Sequence, residues 1–242
     1  MKIRLDQLLQ EKGLASDLKI AKGMIYAGEV FVNEAVSDKP GQLIAPDSKI
    51  RVKQKCPYVS RGGLKLEKGL SHFNISPAGK VCIDIGASSG GFTDCLLQQR
   101  ASKVYAVDVA YGQLAWKIRQ DQRVVVMERF NARNISRADI NEDIQLAVID
   151  VSFISITKLL PSLLSLFSGE VSIIALIKPQ FELAKNKISA GGVVTDVNLH
   201  LEAIAKIEQF VKHFDMTSRG WIQSPILGPK GNKEFLLLIT AE

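Results

Sequence analysis

Near residue 58 the periodicity of the apolar positions along this 242-residue chain changes. Within 4–12, Leu5, Leu8 and Leu9 fall on one helical face, and within 17–27 Leu18, Ala21, Met24 and Ile25 do the same. Gly28 then stops the second helix, residues 30–33 alternate as a strand does, and Lys39-Pro40-Gly41 marks a turn before a strand at 49–52. Two short helices followed by short strands predict a small α+β domain over 1–54. Pro57 and the charges around it make 55–60 a linker.

From 61 to 242 the pattern is different. Apolar runs of strand length recur at 80–85, 103–108, 123–128, 146–151 and 171–177, separated by helical patterns at 91–99, 112–120 and 156–167. Alternating strands and helices predict an α/β fold, a doubly wound Rossmann-like sheet with parallel strands. A helix near 198–213 precedes two closing strands, near 216–223 and 233–240, which predict an antiparallel hairpin at the sheet's edge.

The length allows one large domain or a full-size domain with a small one, of which the second is expected, and 46% hydrophobic residues are ample for a core. The net charge of +6 is unevenly spread. Residues 1–68 carry 13 Lys plus Arg against 8 Asp plus Glu, or +5, leaving 18 against 17, or +1, for the rest. A basic front end suits a polyanion such as nucleic acid, with plain solubility as the alternative. Cys56, Cys82 and Cys95 have neither metal-ligand spacing nor a disulfide framework, which predicts a reducing compartment and no metal site. His72, His200 and His213 stand in no catalytic context and read as packing or surface residues. The charged start, Met1-Lys2-Ile3-Arg4-Leu5-Asp6, predicts no export signal. The stretch 156–177 is interrupted by Lys158, Pro161, Gly169 and Glu170, so it reads as a helix and a buried strand and not as a membrane span. A soluble cytoplasmic protein is expected.

The candidate chemistry begins at 81–92. Val81, Ile83 and Ile85 suit a buried strand, and the turn Gly86-Ala87-Ser88-Ser89-Gly90-Gly91-Phe92 lets backbone approach a ligand at the start of a helix. Asp84 puts an acid where a pyrophosphate would need bare N–H groups, so a cationic or zwitterionic ligand such as S-adenosylmethionine fits better. Asp108 ends the next strand, with Val109 after it, in the position that accepts hydrogen bonds from ribose hydroxyls; the other reading is a helix cap. Asn131 and Ala132 follow the third strand and are placed against the adenine edge.

Two resemblances add to this reading. Arg4-Leu5-Asp6-Gln7-Leu8-Leu9, the run from Ala21-Lys22-Gly23 to Val32-Asn33, and Lys39-Pro40-Gly41 closely resemble the S-four RNA-binding fold across the whole small domain. The resemblance implies phosphate contacts at Arg4, Lys19 and Lys22, which as bare residues read equally as a solvated face. Asp17 departs from the commoner basic residue there. Such a module indicates a substrate class and not a reaction.

Ser60-Arg61-Gly62-Gly63-Leu64-Lys65-Leu66, Val148-Ile149-Asp150-Val151-Ser152-Phe153-Ile154-Ser155, Leu176-Ile177-Lys178-Pro179-Gln180-Phe181-Glu182 and Gly231-Asn232-Lys233-Glu234-Phe235 resemble one family across nearly the entire chain. That family is the TlyA-type proteins, labelled hemolysins or ribosomal RNA 2′-O-methyltransferases, whose large domain is similar to the FtsJ-type RNA ribose methyltransferases. The resemblance implies a catalytic tetrad of Lys65, Asp150, Lys178 and Glu234, S-adenosylmethionine as cofactor, and ribosomal RNA or ribosomal subunits as partner, with a cytidine ribose as acceptor. It also implies RNA contacts at Ser60 and Arg61, with Gly191-Gly192-Val193-Val194 and Gly228-Pro229-Lys230-Gly231 bordering the RNA. Taken singly, Lys65 and Glu234 read as surface ion-pair residues and Asp150 as a helix cap. Cys56-Pro57-Tyr58-Val59 departs from the more basic, Trp-containing tetrapeptide that members often carry at the hinge.

A ribose 2′-hydroxyl holds its proton and is a poor nucleophile, so Lys178 either takes that proton as a neutral amine or, charged, orients the hydroxyl and stabilises developing oxyanion. In the charged version Asp150 and Glu234 both hold its geometry. Two rival functions are a membrane-active hemolysin and a ribosome-binding factor with an inactive methyltransferase fold.

Overall fold

A computed structural model describes residues 2–53 and 56–241. Gln54 and Lys55, at the expected domain boundary, lie outside the described residues, as do Met1 and Glu242. The chain divides into two compact units, Met1–Lys55 and Cys56–Glu242.

In the small unit, helices α1 (Leu5–Glu11) and α2 (Leu18–Tyr26) bury Leu5, Leu8, Leu9, Ala21 and Ile25 with Val30 and Ile44. Asp17 caps α2, accepting a hydrogen bond from Ile20 N–H at 2.8 Å. Strand β1 (Ile3–Arg4) takes the residues ahead of α1 into a pair with β4 (Leu43–Ile44), so the helix starts one residue later than its apolar face suggests. Strand β2 (Val30–Val32) pairs antiparallel with both β3 (Ala35–Val36) and β5 (Ile50–Val52).

In the large unit, the described residues form a seven-stranded sheet. Its strands are β6 (Val81–Ile85), β7 (Lys103–Val107), β8 (Val124–Met127), β9 (Leu146–Ile149), β10 (Val171–Ile177), β11 (Thr217–Gln223) and β12 (Phe235–Ala241), in the order β11-β12-β10-β9-β6-β7-β8. Five neighbouring strands, β10 to β8 in that order, run parallel. The hairpin expected at the edge forms, and β12 lies antiparallel between β10 and β11. The Val/Ile/Leu-rich central strands are buried on both faces, as covered parallel strands require. The chain runs outward through β6, β7 and β8, then returns to lay β9 on the other side of β6. That reversal is the switch point at which ligands bind such sheets, beyond the strands' C-terminal ends.

Helices flank the sheet: α3 (Gly62–Phe73), α4 (Gly91–Gln98), α5 (Trp116–Arg119), α6 (Leu160–Leu164), α7 (Pro179–Glu182) and α8 (Val197–Lys212). Two are shorter than their apolar patterns. The helix expected at 112–120 is only α5, because Gly112 sits in the left-handed region and its N–H is taken by Glu128 at 2.9 Å, holding 108–115 as a loop. The pattern at 156–167 divides into a 3₁₀ turn, Ile156–Lys158, and α6, whose second residue is Pro161.

Residues 56–60 are not a free linker. Tyr58 is buried against α3, where a Cβ on Gly63 would collide with its ring, and Val59 N–H donates to buried Asp94 at 2.8 Å.

Candidate active site

The sheet lines up its chemistry along one edge. In spatial order Lys178 follows β10, Asp150 follows β9, Gly86 follows β6, Asp108 follows β7, and Asn131 lies just beyond β8. Glu234 joins them from the opposite chain direction, because β12 is antiparallel and Phe235 pairs with Ile177. Lys65 comes from α3, with its side chain on the buried face of that helix.

Two cavities open at this edge. The larger, about 530 Å³, is bordered by Ser60, Arg61, Lys65, Asp150, Lys178 and the 226–229 segment, with Ala87, Gly91 and Phe92 at its floor. The second, about 310 Å³, runs along Asp108, Val109, Asn131 and Ala132 towards Phe153. Gly86, Ser88, Asp150 and Ser152 belong to both, so the two are halves of one cleft.

The four tetrad residues form two ion pairs. Lys65 Nζ donates to Glu234 Oε2 at 2.6 Å, with Glu234 0% and Lys65 8% exposed. Lys178, also 8% exposed, meets Asp150 Oδ1 at 2.6 Å, off the line of a hydrogen bond, and donates to Ser152 Oγ at 3.0 Å. The expectation that Asp150 and Glu234 both hold Lys178 is therefore corrected: Glu234 is committed to Lys65. Ion pairs this buried are costly to break, because removing one partner strands the other charge out of water. Gly228 packs so closely on Glu234 that a Cβ there would overlap its carboxylate.

The turn after β6 is shaped by close approach. Gly86 has φ +88°, and a Cβ on it would stand 2.5 Å from the Asp150 carbonyl oxygen, so only glycine lets β6 and β9 end side by side. Gly90, at φ +92°, lines neither cavity and shapes the turn into α4, where Leu114 packs over it. Gly91 likewise leaves room for Ser60 Oγ.

Asp108 accepts hydrogen bonds from Ser88 N–H and Ala110 N–H, each at 2.7 Å, which fixes its carboxylate without exhausting its lone pairs. No helix starts at Val109, so Asp108 caps a turn. Asn131 Oδ1 accepts from Arg133 N–H at 3.1 Å.

Asp84 departs from the expected placement. It is 0% exposed, lines neither cavity, and accepts a hydrogen bond from Thr93 Oγ1 at 2.7 Å, while its Oδ1 has no partner among the described residues. Burial pushes its carboxyl up to about 7, with the nearby Asp150 charge adding to the rise and the Thr93 bond opposing it. Burial likewise pushes the Cys82 and Cys95 thiols up to about 12, as expected of inert core cysteines.

In the small unit, Arg4 is spoken for. Its Nε and Nη2 bind the Asp6 carboxylate at 3.1 and 2.7 Å, and that carboxylate is almost wholly buried. Lys19 and Lys22 are exposed on α2.

Sequence reasoning passed over Ser152 and Phe153, although both stand in the motif around Asp150. Phe153 is 90% exposed at φ +66°, with its ring 5.0 Å from that of Phe181. Both Ser152 and Phe153 line the second half of the cleft, and their place just past the end of β9 is the signal that could have pointed to them. Among the described residues no group of His, Cys, Asp and Glu could hold a metal, and no helix is long and apolar enough to cross a membrane.

This arrangement has known counterparts. A protein of Bacillus subtilis (strain 168), YqxC, named as a candidate rRNA methyltransferase, is 48% identical over 238 residues, spanning 98% of this chain and 85% of that protein. The 16S/23S rRNA (cytidine-2'-O)-methyltransferase TlyA of Mycobacterium tuberculosis (strain ATCC 25618 / H37Rv) is 39% identical over 241 residues, 99% of this chain and 90% of TlyA. A solved structure described as a candidate hemolysin from Streptococcus thermophilus superposes with a TM-score of 0.76 at 42% identity, covering 99% of this chain and 88% of that one. Residues 58–240 match the FtsJ-like methyltransferase model. With its sheet, its cleft and nearly all of its large unit accounted for, the chain belongs to the FtsJ-like methyltransferase family.

Proposed function

We propose that this protein methylates the ribose 2′-hydroxyl of a cytidine in ribosomal RNA, using S-adenosylmethionine, in the cytoplasm where ribosomal subunits are found. One observation carries the reading: Lys178 pairs with Asp150 and Lys65 with Glu234 at the C-terminal edge of the sheet, where Lys178, Asp150 and Lys65 line one cleft and Glu234 is buried against Lys65. The relative named TlyA supports the substrate and the position modified, since it is similar over the full length of both units.

The residues present fit the cofactor. Gly86 and Ser88 line both halves of the cleft, Ala87, Gly91 and Phe92 line the larger half, and Asp108 keeps unused lone pairs for ribose hydroxyls. Gly86, Ala87, Ser88, Gly91 and Phe92 would hold the amino-acid end, and Asp108, Val109, Asn131 and Ala132 the nucleoside. When bound, S-adenosylmethionine supplies an electrophilic sulfonium methyl.

The protein's own residues do the rest. Lys178 meets the 2′-hydroxyl, orients it and, as that hydroxyl gives up its proton to water in the open cleft, stabilises the negative charge left on the oxygen, with Asp150 2.6 Å from its nitrogen. Lys65, held by Glu234, adds a second fixed positive charge to the same wall. Phe153 offers a ring on which a base can stack at the mouth. Ser60 and Arg61, on the rim, are placed to contact RNA. The small unit, read as an S-four module, grips RNA through Lys19 and Lys22.

Incubating the protein with tritiated S-adenosylmethionine and separate small and large ribosomal subunits, then mapping the labelled nucleotide, tests reaction, substrate and site together. Label on a cytidine 2′-oxygen is expected. Absence of label on both subunits would overturn the reading.

A further inference from the structure

Lysine is a long side chain, and a nitrogen that must meet one ribose oxygen needs its direction fixed. The contact with Asp150 does not do this: it is close, at 2.6 Å, but lies outside hydrogen-bond geometry and supplies attraction without aim. The directed bond on Lys178 is the one to Ser152 Oγ, at 3.0 Å. We propose that Ser152 is a positioning residue for methyl transfer, its hydroxyl oxygen fixing where the Lys178 nitrogen meets the acceptor hydroxyl. This rests on the function assigned above.

The surroundings of Ser152 suit that task. It stands just past β9, on the boundary shared by both halves of the cleft. The loop that carries it is tied a second time to the segment that carries Lys178: buried Glu182 accepts hydrogen bonds from Ile156 N–H, at 2.8 Å, and from Ser155 Oγ. Lys206 of α8 closes this lock, donating to the Glu182 carbonyl oxygen at 2.6 Å and to its carboxylate at 3.1 Å. The 155–156 end of this loop and Glu182 are thus held together independently of Lys178, and Ser152, three residues before that tie, faces the lysine. Preorganisation of this kind is what a misplaced catalytic group loses, at a cost of up to about 100-fold per ångström. Ser152 makes no other hydrogen bond among the described residues, so the bond to Lys178 is what its hydroxyl does there.

Two variants separate positioning from packing. Ser152→Ala removes the acceptor, and Ser152→Thr restores a hydroxyl at the same carbon. For Ser152→Ala, kcat on ribosomal subunits is expected to fall by about tenfold or more, with KM for subunits and calorimetric Kd for S-adenosylmethionine within about twofold of wild type. Ser152→Thr is expected to recover most of the rate. An unchanged kcat in Ser152→Ala, or a loss that Ser152→Thr does not repair, would overturn the proposal.

A second measurement needs no activity. Trace acetylation of the full-length protein with acetic anhydride, read by peptide mass spectrometry, compares Lys178 with Lys65. Loss of the Ser152 bond should raise the Lys178-to-Lys65 labelling ratio several-fold, and an unchanged ratio sinks the idea. If wild type labels no RNA, the functional reading fails, while the acetylation ratio still decides whether Ser152 holds Lys178.

Discussion

Lys178 is the residue on which the proposed chemistry turns, and its burial makes the first prediction sharp. Lys178→Ala removes the group that orients the hydroxyl, yet Lys178 borders only the half of the cleft away from Asp108 and Asn131. Methyl transfer to ribosomal subunits should fall by about 10²–10⁴-fold while calorimetric affinity for S-adenosylmethionine changes little. Retained methylation would refute its role. Asp84 makes a different prediction. Its carboxyl titrates at about 7 in the folded chain against an ordinary 3.8, so the folded state keeps a proton that the unfolded chain has released. Stability contributed by this site is therefore present at low pH, declines as pH rises from about 4, and is lost above about 7. Asp84→Asn removes the titration. Its melting temperature should gain on wild type between pH 5 and pH 8, and parallel pH curves for the two proteins would contradict the assignment. The motifs around Lys65, Asp150, Lys178 and Glu234 pointed to residues that the fold brings together in pairs, but which residue pairs with which was not legible in the sequence. Lys65 and Glu234 are 169 positions apart, and no spacing along the chain reveals that Glu234 turns to Lys65 and away from Lys178.

At the scale of elements, strands were the easiest to read. Buried parallel strands read as apolar runs, β9 without interruption and β10 with only Ser172 breaking it. Helices were harder wherever glycine or proline intervened. Helix α3 buries Leu66 and Leu70 along with Gly63, Lys65 and Gly69, so glycines and a charge occupy positions where a periodicity argument looks for apolar side chains. At α5 and α6 the reverse happened: the apolar spacing was present, but the Gly112 loop and Pro161 cut the helices short. The junction of β6 with β9 is where element geometry and function meet. Gly86→Ala introduces a Cβ against the Asp150 carbonyl in a backbone region that costs a non-glycine residue about 1–2 kcal/mol, before any overlap is relieved. The expected outcome is a loss of at least that stability in urea unfolding, together with about tenfold or greater weakening of S-adenosylmethionine binding, because the strand ends that form the cradle must separate. Wild-type affinity in this variant would show that the turn does not contact the cofactor.

Across the whole molecule, the proposed division of labour assigns the grip to the small unit and the chemistry to the large one, and surface charge tests it. Lys19 and Lys22 are exposed on the same short helix, whereas Arg4, the other expected contact, spends its guanidinium on buried Asp6. These positions should therefore fail in different ways. Lys19→Ala combined with Lys22→Ala should raise KM for ribosomal subunits and leave kcat at saturation and cofactor affinity near wild type. It should also flatten the plot of log affinity against log salt by about 0.7–0.9 for each phosphate that the protein no longer neutralises. Arg4→Ala should instead lower thermal stability, because the buried Asp6 carboxylate is left without its cation. An unchanged salt slope in the double variant would mean that Lys19 and Lys22 of α2 do not meet phosphate. If the slope flattens while kcat holds, affinity for the ribosome and reactivity at the ribose are carried by separate parts of the chain, as a binding module joined to a methyltransferase requires.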